Sequence, residues 1–425
     1  MSTLTLILGG GRGVQLSVLA AARTKPALPF GGKYRLIDFT MSNIVHSGLD
    51  RVALLTQSNP QILLDHLGDG EPWGLKPGHF EVWQPSLERT GREQYVGTAD
   101  AVYQNAPYIR AQNCQWVLIL SGDHITCENF EELLYFHQMK GAALTISTIP
   151  APLEDMQRFG ILHVDENQQV RRFVEKPTAA PDPLQGFSLQ ASQGIYVFNT
   201  DFLLKRLEED ARDPDSRHDF GRDILPPLAG GGQVYARLST QYWADIGTIE
   251  SYWKANLALL GEQPVIDLYD PEWPILTRES RYAPTTIRMN GRVANSLVSD
   301  GCVIEGEVTH SVLSPGVRVE RGAAVRNSVI LNDAIVRAGA VITDCVVDRE
   351  VEIGEGARIG GGEEMTPNQD EPALLNSGLT VIGKGAHIPN GMLIGRNCRI
   401  DLAVSAEDFQ GMEVASGGSV RKGAK

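Results

Sequence analysis

Short apolar runs separated by longer mixed stretches fill the first half of the chain. Residues 4–8, 51–56, 116–121 and 143–149 are dense in Leu, Ile and Val, the composition of buried strands. Residues 130–139, between two of these runs, have the amphipathic spacing of a helix. Strands and helices alternating at this interval predict an α/β domain on a mostly parallel sheet. Ligands on such sheets bind beyond the carboxyl ends of the strands, which directs attention to the loops after Leu8 and Leu120.

From Val317 the pattern changes. Apolar residues recur every six positions at Val317, Ala323, Val329, Ile335, Val341, Val347, Ile353 and Ile359. After a polar break at 360–378 the period returns at Ile382, Ile388, Ile394 and Ile400, with Ile-Gly pairs at Ile382-Gly383 and Ile394-Gly395. A six-residue period predicts short strands coiling as a parallel β-helix, each coil burying its small aliphatics against the next. Such a solenoid implies structure and subunit contacts rather than chemistry. Pro264, Pro271, Pro274 and Pro284, with Tyr269 and Trp273, mark a packed connector. The expected division is 1–260, a connector at 261–285, and 286–425.

The 425 residues carry 38 basic and 52 acidic side chains, a net charge of −14. That length suits more than one domain, and the 42% hydrophobic content suits a folded core. No apolar run is long enough to span a bilayer, and the chain does not open on a secretory pattern, so no membrane association is expected. Cys114, Cys127, Cys302, Cys345 and Cys398 form no C-x-x-C pair and suit free thiols in a reducing cytoplasm. An acidic chain without a basic cluster is not expected to bind nucleic acid. The charge is uneven, however. Residues 1–37 hold no Asp or Glu but carry Arg12, Arg23, Lys25, Lys33 and Arg35. An anion site for a small ligand explains this, and so does a plain basic patch.

Gly9-Gly10-Gly11-Arg12-Gly13 follows the first predicted strand. Glycines let backbone N–H groups approach a phosphate closely. Val14 stands where a dinucleotide fingerprint needs its last glycine, and Tyr34 follows Gly32-Lys33 where a P-loop needs Ser or Thr. A tight turn explains the run alone; beside the acid-free segment, phosphate binding explains more. Asp123, after the strand ending at Ser121, suits Mg²⁺ on a polyphosphate, with a helix N-cap as the plain alternative. Asp245, in Trp243-Ala244-Asp245-Ile246-Gly247-Thr248, is a second candidate. Glu175-Lys176 suits a sugar hydroxyl and a phosphate, or else a solvated ion pair. The nine histidines show no metal-ligand spacing.

Several stretches together resemble the sugar-1-phosphate nucleotidyltransferase family, in its ADP-glucose-forming branch. They are Arg23-Thr24-Lys25-Pro26-Ala27, Gly31-Gly32-Lys33-Tyr34-Arg35-Leu36-Ile37-Asp38, Gly97-Thr98-Ala99-Asp100-Ala101-Val102, Gly122-Asp123-His124, Val174-Glu175-Lys176-Pro177, Gly194-Ile195-Tyr196-Val197-Phe198, His218-Asp219-Phe220-Gly221 and Trp243 to Thr248. The likeness implies a Rossmann-like, mostly parallel nucleotidyltransferase domain followed by a C-terminal left-handed parallel β-helix. It implies that the phosphate of glucose 1-phosphate attacks the α-phosphorus of ATP, giving ADP-glucose and pyrophosphate for α-glucan (glycogen) synthesis. By the same likeness Lys25, Asp123 and Arg12 serve the chemistry, and Asp123 and Asp245 hold Mg²⁺. Tyr95, Gly160, Glu175, Lys176 and Ser192 take the sugar phosphate. Gly9, Gly10, Gly11, Gly13, Gly97 and Thr98 cover the nucleotide. Lys33 matches a position that binds a sugar-phosphate activator, and the assembly implied is a homotetramer.

The chain departs from that pattern after the glycine loop, where Gln15-Leu16 stands in place of Arg-Leu, and before Gly97, where it reads Gln94-Tyr95-Val96. Losing a charged donor to the transferring phosphates costs on the order of 3 kcal/mol, about a hundredfold in rate. The alternative expectation is therefore a regulatory homologue that binds the ligands with little turnover. A β-helix acyltransferase is a third possibility, for which the coils offer only His310 and His387.

Overall fold

The computed structural model describes residues 2–11, 13–85, 94–152, 155–179 and 186–423. By contact density the chain divides into two compact units, and the division is not sequential. The first comprises 1–11, 39–60 and 67–243; the second comprises 12–38, 61–66 and 244–425.

The first unit is built on a nine-stranded sheet. Its parallel part joins Trp116–Ser121, Thr3–Leu8, Val52–Leu55 and Phe80–Trp83 in that order. All six residues of Thr3–Leu8 are buried or nearly so, as its apolar run requires. Ser188–Asn199 then pairs antiparallel with Trp116–Ser121, Leu144–Pro150 and Gly160–Val164, and Val170–Glu175 closes that edge. The register of Ser188–Asn199 shifts between Ser192 and Tyr196, a bulge in a strand that serves three neighbours. Helix Phe130–Lys140 lies where the amphipathic spacing placed it. Asn129 caps its start by accepting from Glu131 N, and Gly141 ends it in the left-handed region at φ 56.

The second unit holds the parallel β-helix anticipated from the six-residue period, with three sheets of six, seven and seven strands. Val319, Val336 and Ile353 stack in register inside it, each 17 positions from the last. A coil of 17 rather than 18 residues makes a strict six-residue count slip by one position per turn. Ile335 and Val341 are consequently only half-buried, while Val336 and Ile342 beside them are fully buried. The polar stretch 360–378 leaves the coil and returns one layer on, since Ile353 pairs next with Ile388. It is a packed loop: buried Asn368 donates to the carbonyls of Asn397, Gly417 and Gly418 at 3.0–3.3 Å. Pro29–Phe30 and Tyr34–Arg35 form a small hairpin in the same unit. A Cβ on Gly32 at its turn would overlap Ser299 Oγ of the first coils, which fixes glycine there. Among the described residues no helix is long and apolar enough to cross a membrane.

Candidate active site

In the first unit, Glu175 ends the Val170–Glu175 strand with its side chain 18% exposed. Two glycines make room for the carboxylate. A Cβ at Gly221 would lie 2.5 Å from Glu175 Oε2; one at Gly160 would lie 2.9 Å from that oxygen and overlap the Phe173 ring. Burial pushes the Glu175 carboxyl above its ordinary value, with the Lys176 charge pulling the other way. Lys176 takes φ +46, donates its N–H to Phe159 O at 3.0 Å, and keeps its ammonium half-exposed 3.7 Å from Glu175 Oε1. Ser192 Oγ accepts from Gly194 N at 3.1 Å and favours ionisation of the buried Tyr196 hydroxyl, which burial and the Glu175 and Asp219 charges nonetheless hold protonated. Gly160, Glu175, Lys176 and Ser192 thus converge, with Tyr196, Asp219 and Gly221 completing the cluster.

Gly97 and Thr98 start the Thr98–Gln104 helix and connect to that cluster. Thr98 Oγ1 donates to Asp219 Oδ2 and accepts from Phe220 N, both at 3.0 Å. A Cβ on Gly97 would overlap the His218 carbonyl oxygen. Tyr95 is held by Asn105, Trp83 and Gln57. Its hydroxyl accepts from Asn105 Nδ2 at 3.0 Å and donates to Trp83 O at 3.3 Å, and its N–H donates to Gln57 Oε1 at 2.8 Å.

The loop after Leu8 begins with Gly9 N donating to Leu55 O at 2.8 Å. A Cβ on Gly10 would touch Gln57 at 3.3 Å, whereas one on Gly11 would meet open space. Asp123 accepts from Ser121 Oγ and lies 3.8 Å from His124 Nε2. The His124–Thr126 strand follows it, so a helix N-cap does not explain the residue. The His124 ring meets Trp243 edge-on at 5.2 Å, and Trp243 meets Phe159 at 5.4 Å.

In the second unit, Gly13 takes φ +62, and a Cβ there would sit 3.4 Å from Lys25 Cβ. Lys25 Nζ donates to Asp245 Oδ1 at 3.0 Å, both side chains largely buried. Arg12 lies outside the described residues. Lys33 is exposed at the hairpin tip, over the Tyr34 ring at 5.5 Å. The same unit holds a cation cluster of Arg23 and Arg35 from the acid-free segment with Arg349, which spacing did not reveal. Arg23 is buried and grips Asp348 through both carboxylate oxygens at 2.7–2.8 Å, leaving its Nη1 buried without a hydrogen-bond partner among the described residues. Arg35 is pushed down to about 10 by burial, with Asp38 opposing and Arg349 and Arg23 adding repulsion. Among the β-helix histidines, His310 Nδ1 bonds Asn327 Oδ1 at 2.9 Å, and His387 pairs with Glu352 at 3.5 Å.

Among the described residues no group of three or more His, Cys, Asp or Glu is placed to hold a metal. Mg²⁺ does not need such a cage: it keeps several waters and takes one or two carboxylates together with substrate phosphate oxygens. Asp123, in the first unit, and Asp245, in the second, each offer carboxylate oxygens of the hard kind that Mg²⁺ takes.

A glycine loop beyond a parallel strand, Asp123 at that sheet's ligand edge and a C-terminal β-helix are the features expected of a nucleotidyl transferase. Residues 4–262 match the family model described as nucleotidyl transferase, and 280–382 match a GlmU-like, C-terminal hexapeptide model. The glucose-1-phosphate adenylyltransferase of Acetivibrio thermocellus is 40% identical over 99% of this chain and 98% of its own length. Those of Thermotoga maritima and Thermomicrobium roseum are 42% and 43% identical over 98% of this chain, covering 98% and 96% of the relatives. The chain belongs to the glucose-1-phosphate adenylyltransferase family.

Sequence motifs alone do not point to the side chains of Tyr196, Asp219 and His218 or to Gly221 as parts of the site. Their signal lay in the Gly194–Phe198 and His218–Gly221 stretches, which carried the resemblance without pointing to side chains.

Proposed function

We propose that the protein transfers the adenylyl group of ATP to glucose 1-phosphate, forming ADP-glucose and pyrophosphate for α-glucan synthesis. The half-buried Glu175, enclosed by Gly160 and Gly221 beside the Lys176 ammonium, is the observation that carries this reading. A carboxylate and a cation side by side match a hydroxyl-bearing sugar that carries a phosphate. A phosphate oxygen of the sugar forms the new bond to the α-phosphorus, the α–β bridging bond breaks, and pyrophosphate leaves. Positioning and charge neutralisation dominate such a transfer. Glu175 accepts from sugar hydroxyls and Lys176 holds the sugar phosphate. Lys25, oriented by Asp245, steadies the nucleotide phosphates, with Gly9 to Gly13 cradling them. Asp123 and Asp245 are the carboxylates assigned to Mg²⁺, which when bound supplies further neutralisation of the phosphates.

The same reading includes control by a sugar phosphate. Arg23, Arg35 and Arg349 repel one another here, offset by Asp38, Asp65, Asp348 and Glu350, and exposed Lys33 is the cation this reading assigns to the effector's phosphate. Assembly as a homotetramer in the cytoplasm completes the proposal. The test is pyrophosphate release with glucose 1-phosphate and Mg²⁺, comparing ATP, UTP, dTTP and GTP, with and without fructose 1,6-bisphosphate. ATP-selective turnover is expected, raised by the effector. Ligand-induced thermal stabilisation without turnover would replace this reading with that of a regulatory homologue.

A further inference from the structure

The segment His218-Asp219-Phe220-Gly221 touches both ends of the first unit's site. Gly221 walls the Glu175 carboxylate, and Asp219 receives the Thr98 hydroxyl. His218 accepts the N–H groups of Ala99 and Asp100 on its carbonyl oxygen at 2.8 and 3.2 Å, so one carbonyl satisfies two orphan donors of the Thr98–Gln104 helix. The same oxygen presses on Gly97, and the Arg217 carbonyl would lie 2.5 Å from a Cβ there. The Gly97–Thr98 turn is therefore moulded on the His218 backbone.

That backbone is held in an unfavourable conformation. His218 has φ +56, where a residue with a β-carbon sits at a cost. Its side chain supplies the compensation. Nδ1 pairs with Asp210 Oδ2 at 2.8 Å, with both side chains largely buried. Ser216 Oγ donates to Asp210 Oδ1 at 2.6 Å and accepts the His218 N–H at 2.9 Å. Asp210 ends the Thr200–Asp210 helix, so the anchor is tied to a packed element.

We propose that His218 is a positioning residue for the transfer. Its imidazole, anchored on Asp210, fixes the carbonyl that shapes the Gly97–Thr98 turn and, through the next three residues, the wall around Glu175. The inference rests on the proposed adenylyl transfer and assigns both substrates to one mechanical support. His218→Ala removes the anchor. His218→Asn keeps a donor near the Nδ1 position and tolerates positive φ better than other residues with a β-carbon.

Steady-state kinetics of His218→Ala, His218→Asn, Asp210→Asn and the Ala/Asn double variant, normalised to folded enzyme, provide the test. Loosening a positioning contact by about an ångström costs up to roughly a hundredfold. We therefore expect His218→Ala to raise KM for both ATP and glucose 1-phosphate about tenfold and to lower kcat by a similar factor. His218→Asn should restore most of the loss, and Asp210→Asn should add little in the His218→Ala background, because the two residues act as one unit. A lower Tm with unchanged KM and kcat in His218→Ala or Asp210→Asn would overturn the proposal, as would failure of His218→Asn to rescue. If the wild-type protein showed no turnover, adenylyl transfer would fall separately. Calorimetric affinities for ATP and glucose 1-phosphate would then decide, equal values in wild type and His218→Ala overturning the positioning role.

Discussion

Glu175 sets burial against charge. Its carboxyl is raised by desolvation, so the ionised form is the costly one in the folded protein. A carboxyl raised on folding contributes stability below its ordinary value, and that contribution is lost as pH rises through the folded value. Glu175→Gln removes the penalty at neutral pH, so its Tm should exceed that of wild type, with the gap widening from acidic toward neutral pH in calorimetric scans. At this chain length each 1 kcal/mol relieved corresponds to a rise of about 1 °C. The same variant should lose glucose 1-phosphate turnover by at least about tenfold, the usual exchange between stability and function at a strained site. Gly221→Ala tests the same pocket from its wall. Its Cβ would lie 2.5 Å from Glu175 Oε2, so the carboxylate must shift, and kcat/KM for glucose 1-phosphate should fall roughly a hundredfold while ATP affinity changes little. Gln15 is exposed and neutral where the family resemblance calls for arginine. Gln15→Arg is expected to raise kcat between about tenfold and a hundredfold. Unchanged turnover would mean that other cations already meet the demand.

At the scale of elements, the β-helix interior contains a ladder of small polar residues at one corner of the coil. Ser296, Ser311, Ser328, Cys345, Thr380 and Cys398 lie in successive layers. Ser311 N donates to Ser296 Oγ, Ser328 N to Ser311 Oγ, Cys345 N to Ser328 Oγ and Cys398 N to Thr380 Oγ1, each at 3.1 Å. Ser328 Oγ in turn donates to Arg326 O at 2.6 Å. Ser328→Ala would strand the buried Cys345 N–H, while Arg326 O keeps the Asp344 N–H at 3.2 Å, and should cost about 1–3 kcal/mol in urea unfolding of the full chain. A cost below about 0.5 kcal/mol would argue that water or backbone shifts replace the rung.

The six-residue count made the solenoid legible because side-chain alternation and coil closure act locally. The 17-residue coil was hidden: it drops one residue per turn, and only strand register shows which neighbour then points inward. The same limit governs the site. The Thr3–Leu8, Val52–Leu55 and Trp116–Ser121 strands and the Phe130–Lys140 helix were readable from composition and period, and so were Glu175 and Lys176 as adjacent opposite charges. The enclosure of Glu175 by Gly160 and Gly221, and the bond from Thr98 to Asp219, bring together a strand end and two helix starts, across separations that no spacing rule spans.

At the scale of the whole molecule, the β-helix unit is not separable along the sequence. Residues 12–38 and 244–260 pack with the coils that follow. Arg23 is tied to Asp348, Trp253 Nε1 donates to Asn327 O at 2.8 Å, and Ser17 Oγ donates to Glu371 in the 360–378 loop. Asp348 is fully buried, so its removal leaves Arg23 as an uncompensated interior charge, a change that costs about 3–5 kcal/mol. A chain ending at 285 removes all of these partners at once. It should be recovered as aggregate, or as a monomer without a cooperative thermal transition and without pyrophosphate release, although it retains the segment matched as nucleotidyl transferase. Lys25 and Asp245 explain why activity should go with stability: their 3.0 Å pair lies in the unit that loses its coils. A soluble 1–285 fragment with wild-type turnover would show that the interlocking contacts serve only regulation or assembly, and Arg23→Ala in the full chain should then leave kcat unchanged while altering the response to a sugar phosphate.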